Sequence, residues 1–223
     1  MIAGIEINAT TIVTGVATAI VLGIFIWFFV GMQLNLARGN AALRWMKDGI
    51  KLLSEKTSMR WLGSSVVQLG MSEPRSPFKH IDILVMLEPR DVVPLWLASR
   101  RGGRRDTLIL RGDLRRAARD QFDVVDASSW SGKDCLKHHT PAGWEQETQD
   151  GLLHAYVHEG AAQIVQEALP LAQKMGGRLL RLSVRQTVPH LEIHLLAPWK
   201  GDVAGKDSLA VFRQIGEMLQ PKP

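Results

Sequence analysis

Eight arginines crowd residues 100–119 (Arg100, Arg101, Arg104, Arg105, Arg111, Arg115, Arg116 and Arg119), opposed there only by Asp106 and Asp113. A guanidinium presents a rigid fork of donors that matches phosphate or carboxylate, so such a run suits an anionic lipid, a nucleotide or a nucleic acid. The same density of charge also keeps a protein body soluble and oriented beside a negative membrane. We read the run first as that solvated rim touching lipid headgroups, and in the alternative as the site of an anionic, phosphate-bearing ligand. Nucleic acid is set aside, because few aromatics interleave the arginines and no recognition motif is present.

His190, Glu192 and His194 alternate with Leu191, Ile193 and Leu195, so on a strand the three polar side chains share one face. Zinc or iron accepts such ligands, but any half-exposed strand shows the same alternation, and no metal or other cofactor is expected. His154 and His158 stand four apart where a strand is predicted to give way to a helix. Cys135, His138 and His139 fall in a segment without periodicity. Neither set is preorganised as ligands.

Residues 201–208 lie between a strand and a helix and look like a phosphate loop. The spacing between Gly201 and Gly205 is one residue short, however, and Asp207 follows Lys206 where a hydroxyl should meet magnesium. A glycine-rich loop with Asp207 or Ser208 as helix cap is the simpler expectation. No Gly-x-Ser-x-Gly elbow occurs, and the pairs Ser64 with Ser65 and Ser128 with Ser129 have no predictable base. Asp123 and Asp126 are read as solvated groups at a strand edge.

The element that must position all of these comes first in the chain. Residues 7–37 contain no charged side chain, and residues 11–30 alone are long enough to cross the roughly 30 Å hydrocarbon layer of a bilayer. A cleaved signal peptide would carry a basic leader and a shorter apolar core. The spacing therefore predicts a retained membrane helix over 11–33 after a short tail, 1–10. Arg38, Arg44, Lys47 and Lys51 follow it, and cationic residues resist translocation, so the body is expected in the cytoplasm and the amino terminus outside. Gly15, Ala19 and Gly23 recur every four residues as a stripe where a second membrane helix, of this or another chain, would pack.

An amphipathic helix is predicted over 38–57, with Leu43, Met46, Ile50 and Leu53 on one side. Beyond it the patterns predict strands near 61–69, 81–87, 107–110, 122–126, 152–157, 179–185 and 191–196. Helices are expected near 90–99, 159–175 and 207–219, the second closed by Gly176 and Gly177 as a left-handed cap. The expected class is α+β, a sandwich of helices on a mixed sheet. Two similar βαβ-containing halves, 61–127 and 152–223, are joined by a linker or long surface loop over 128–151. In 223 residues there is one cysteine, so an internal disulfide is excluded, and the hydrophobic fraction of 46% excludes a disordered chain. The function expected is an accessory, scaffold or assembly subunit of a membrane protein complex. A membrane-tethered enzyme or binding module is the alternative, distinguished by whether the arginines line a pocket beside a carboxylate or histidine.

Overall fold

The computed structural model describes residues 9–138, 144–148, 153–158 and 160–220. Helix α1, Ala9–Leu53, runs unbroken for 45 residues, about 67 Å at 1.5 Å per residue. The membrane helix and the amphipathic helix expected as separate pieces are thus one rod. No proline interrupts this stretch, and Gly39 and Gly49 within it are packed rather than loose. Its buried positions, Gly31, Asn35, Gly39, Ala42, Met46, Gly49 and Leu53, follow the three-and-four spacing of a single helical face. A Cβ on Gly39 would lie 2.4 Å from the Trp61 ring, and one on Gly31 would lie 2.4 Å from the Arg90 carbonyl oxygen. These glycines let the body approach the helix backbone. Ahead of Gly31 the helix touches the body at Trp27 and otherwise stands exposed, and it is long and apolar enough to cross a membrane.

Nine strands form one sheet in the order β1-β2-β3-β4-β9-β8-β5-β7-β6. They are β1 Lys56–Leu62, β2 Val66–Ser72, β3 Phe78–Met86, β4 Thr107–Leu114, β5 Phe122–Asp126, β6 Glu145–Thr148, β7 Leu153–Val157, β8 Arg178–Val184 and β9 Leu191–Leu196. Every pairing is antiparallel. This corrects the expected mixed sheet. Helix α2 Val93–Arg101 joins β3 to its antiparallel neighbour β4, whereas α3 Trp130–His138 joins β5 to β6 and the helix after β7 leads to β8, strands that run the same way but are each held apart by an intervening strand, so no helix links adjacent parallel strands. Strand β5 lies between β8 and β7, within the strands that follow it in sequence. The segment 128–151, expected as a linker, holds α3 and the short edge strand β6. Both are too short and too polar to show a period.

One face of the sheet carries the core. Helices α1, α4 Ala162–Gln173 and α5 Gly205–Met218 cover it, with Phe78 stacked on Phe212 at 4.8 Å and Met46, Leu53, Leu110, Ile193 and Leu209 among the fully enclosed side chains. The close α1 to α5 contact explains Gly205, whose Cβ would fall 2.0 Å from the Trp45 carbonyl oxygen. Expected capping by Asp207 or Ser208 is corrected: the α5 N-cap is Ala204, and the buried Ser208 hydroxyl donates back to the Ala204 and Met175 carbonyls. Gly176 and Gly177 both take positive φ, 81° and 69°, as a left-handed cap requires. The opposite face of the sheet is covered only in part, by α3.

Candidate functional site

Alternation along the central strands sends most of their polar residues, with Ile109, to that second face. From β4 come Ile109 and Arg111, from β9 Glu192 and His194, from β8 Arg181 and Ser183, and from β5 Asp123. Helix α3 packs beside them on β5 and β8 and leaves two adjoining cavities, about 280 and 690 Å³, that meet at Met86, Ile109, Trp130 and His194. The smaller has an apolar floor of Met86, Ile109, Leu180 and Leu196, a rim of Arg104, Arg105 and Arg178, and a wall made by Ser131 and His194. The larger is lined by Arg111, Arg181 and Arg185 with Glu192.

A chain of hydrogen bonds runs beneath the groove. Ser131 Oγ lies 2.5 Å from His194 Nδ1, and His194 Nε2 lies 2.8 Å from Glu192 Oε1. Arg111 Nε donates to the same carboxylate oxygen at 3.0 Å, and Arg181 Nη2 is 3.4 Å from the other oxygen. Arg181 Nε donates to Ser183 Oγ at 2.7 Å, Ser183 donates to Asp123 Oδ1 at 2.6 Å, and Arg185 pairs with Asp123. Burial pushes the Glu192 carboxyl up, but the His194 hydrogen bond and the charges of His194, Arg181 and Arg111 outweigh it and hold the group far below the usual carboxylate range. Burial holds the His194 imidazole below its ordinary value, and the Arg181 and Arg111 charges add to this against the pull of Glu192. An ionised Glu192 only accepts, so the imidazole proton sits on Nε2 and Nδ1 is left to accept from the Ser131 hydroxyl.

A second polar hub ties α1 to the body. Asp106, 3% exposed, receives Arg90 at 2.9 Å, Arg38 at 2.7 Å and the Glu88 backbone N–H at 3.0 Å. Burial raises its carboxyl, and the hydrogen bonds from Arg90, Glu88 and Arg38 together with the Arg90 charge more than reverse the effect, leaving it below its ordinary value. Arg90 also donates to Asn35 Oδ1 at 3.1 Å. Trp27 Nε1 donates to the Arg90 carbonyl at 2.8 Å, and Trp96 Nε1 donates to Glu88 Oε2 at 2.5 Å.

The arginine run is therefore dispersed. Arg100 and Arg101 stand exposed on α2, Arg104 and Arg105 reach the smaller cavity, Arg111 reaches the larger, and Arg115, Arg116 and Arg119 are exposed beyond β4. Arg38 is committed to Asp106, whereas Arg44, Lys47 and Lys51 are exposed on α1. Gly15 and Gly23 meet nothing within 4 Å. His190, Glu192 and His194 do share a face yet do not converge as ligands: His190 Nδ1 accepts the Leu114 N–H at 3.0 Å, and no group of three ligating side chains gathers among the described residues. His154 and His158 are likewise apart from any such group, and His139 lies outside the described residues. Asp123 and Asp126, expected at a solvated edge, are buried because β5 is an interior strand.

The pattern of residues 178–185 hid half of the site. Arg181, Ser183 and Arg185 alternate with Leu182 and Val184, which marks a strand. Pairing that strand with the next one sets the same three residues beside Glu192 and His194. Ser131 had no signal at all, since it depends on the fold bringing α3 to β9. No protein-family model matches the chain and no curated protein resembles it, so what this groove does is read from its own geometry.

Proposed function

We propose that this is a membrane-anchored protein whose body holds an anionic ligand in the arginine-lined groove beside α3. The observation that carries the reading is the convergence of Arg104, Arg105, Arg111, Arg178, Arg181 and Arg185 on two adjoining cavities, with His194 and Glu192 between them. That is the arrangement expected of a ligand site rather than of a convex basic rim. The apolar part of α1 is compatible with a membrane anchor, and the basic residues after it argue for a body on the cytoplasmic side.

Helix α2 supports the anchored reading from a second direction. It has no buried residue, and Val92, Leu95 and Leu97 are 43, 52 and 44% exposed, while Trp96 lies 5.8 Å from Trp27 of α1. A nine-residue helix is marginal in water without a packed face, and this one sits level with the end of the apolar run and ends in Arg100 and Arg101. Its apolar side chains would enter the headgroup boundary while the arginines meet phosphate.

The ligand reading is tested on the full chain in neutral maltoside micelles by thermal unfolding against pyrophosphate and succinate. A rise of several degrees in Tm with either anion, abolished in Arg104→Ala, Arg178→Ala protein, is the expected result. An unshifted Tm for both anions sinks it. A scaffold role keeps one observation in its favour, the bare stripe of Gly15, Ala19 and Gly23 on the exposed part of α1. Replacing the three with Leu removes any co-purifying membrane partner if that role holds.

A further inference from the structure

The geometry points to Ser131 as a nucleophile, activated by His194 as general base, in a hydrolase acting on carboxylic esters whose acid portion carries a negative charge; this rests on the groove being an anion site. Two elements far apart in sequence assemble the parts. Ser131 is in the first turn of α3, and His194 and Glu192 are on β9. The distances, 2.5 Å from Ser131 Oγ to His194 Nδ1 and 2.8 Å from His194 Nε2 to Glu192 Oε1, are those of hydrogen bonds in a serine, base and acid relay. Arg111, on the oxygen that His194 bonds, and Arg181, on the other, pin the carboxylate, which makes Glu192 a positioning residue for the imidazole.

Substrate class follows from the cavity that Ser131 lines. Its floor is apolar, which suits the carbon skeleton of an acyl group, and its rim carries Arg104, Arg105 and Arg178 for a charge at the far end. Arg104 is the informative member. Its guanidinium lies 5.9 Å over the Trp130 ring, and its Nε is buried without a hydrogen-bond partner among the described residues. An acceptor from a bound anion satisfies it.

In the first half of the reaction Ser131 Oγ bonds to the ester carbonyl carbon and its proton passes to His194 Nδ1. Charge gathering on the carbonyl oxygen is met by the positive end of α3, leaving the rim arginines to the charge at the far end. The carbon–oxygen bond to the alcohol breaks, and the alcohol leaves with the proton from Nδ1. Water then attacks the acyl-Ser131, yields a proton to Nδ1, and the bond to Oγ breaks as Oγ recovers that proton. The products are an alcohol and a carboxylic acid, with the enzyme restored.

The test treats the full chain in maltoside micelles with a fluorophosphonate probe and maps the adduct by peptide mass spectrometry, with release of nitrophenolate from mono-4-nitrophenyl succinate as a second readout. The expected adduct is on Ser131. Labelling is lost in Ser131→Ala and slowed about 100-fold or more in His194→Gln, the scale of a general base. Glu192→Gln should shift the pH midpoint of labelling rather than abolish it. Mapping on the unaltered chain needs no variant to fold, and no adduct on Ser131 together with no nitrophenolate release overturns the proposal. If pyrophosphate or succinate still raises Tm in that case, the groove stands as an anion site without the chemistry. If labelling occurs and neither anion binds, the anion reading fails instead.

Discussion

At the scale of single residues, the hub at Asp106 makes the sharpest demand. Its carboxyl is held below the ordinary value of 3.8, so the stability it contributes is complete above about that pH and is lost as the pH falls through the lower, folded value. Asp106→Asn should lower Tm at neutral pH. The gap from the native chain should close as both are acidified below about pH 4, in melts recorded from pH 7 to 3. Arg90→Ala should be worse, because it leaves Asp106 and Glu88 buried with fewer partners; breaking a buried pair in this way costs roughly 3–5 kcal/mol. Little of this was legible beforehand. Asp106 sits inside the arginine run, and a linear count of charges assigns it to its neighbours in sequence. Its actual partners, Arg38 and Arg90, come from α1 and from the segment after β3. The relay under the groove was half legible: the shared face of Glu192 and His194 follows from alternation, but Ser131 depends on where α3 lands.

At the scale of elements, residue patterns were a good guide to strand bounds even where both faces are buried. The strands at 122–126 and 191–196 have the bounds that alternation predicts, and α4 and the two glycines after it lie where expected. The failures share a cause. The first predicted strand, 61–69, is in fact two strands with Gly63 at positive φ between them, and the helices expected over 11–33 and 38–57 are one, with Gly39 packed on Trp61 inside it. A glycine in sequence signals both a turn and a close approach, and only the neighbours decide which. For α1 and α5 the close approach predominates. Gly205→Ala should destabilise the body by about 1–3 kcal/mol, the usual cost of forcing atoms into a packed contact, read as a lower Tm and faster proteolysis between α1 and the sheet. For α2 the measurement is quenching of Trp96 by brominated lipid. Leu95→Asp with Leu97→Asp should abolish the component of quenching that Trp96→Phe removes. Unchanged quenching would show that this helix does not touch lipid.

At the scale of the whole molecule, the chain divides its two faces of sheet by chemistry. One is filled by Leu, Ile, Val and Phe under three helices, and the other carries arginines, carboxylates and His194 under one short helix. The α+β class was legible; the all-antiparallel order was not, because the pairing of β9 with β4 and of β5 with β7 and β8 is set by contacts far apart in sequence. The unbroken α1 has a further consequence. At about 100° per residue, Ala19 lies roughly 150° around the rod from the line Gly31 to Leu53 that grips the body. The body thereby fixes the azimuth of the apolar span, turning the small-residue stripe to its back. Any helix seated on that stripe meets this chain spine to spine, with the arginine grooves aimed outward and unobstructed.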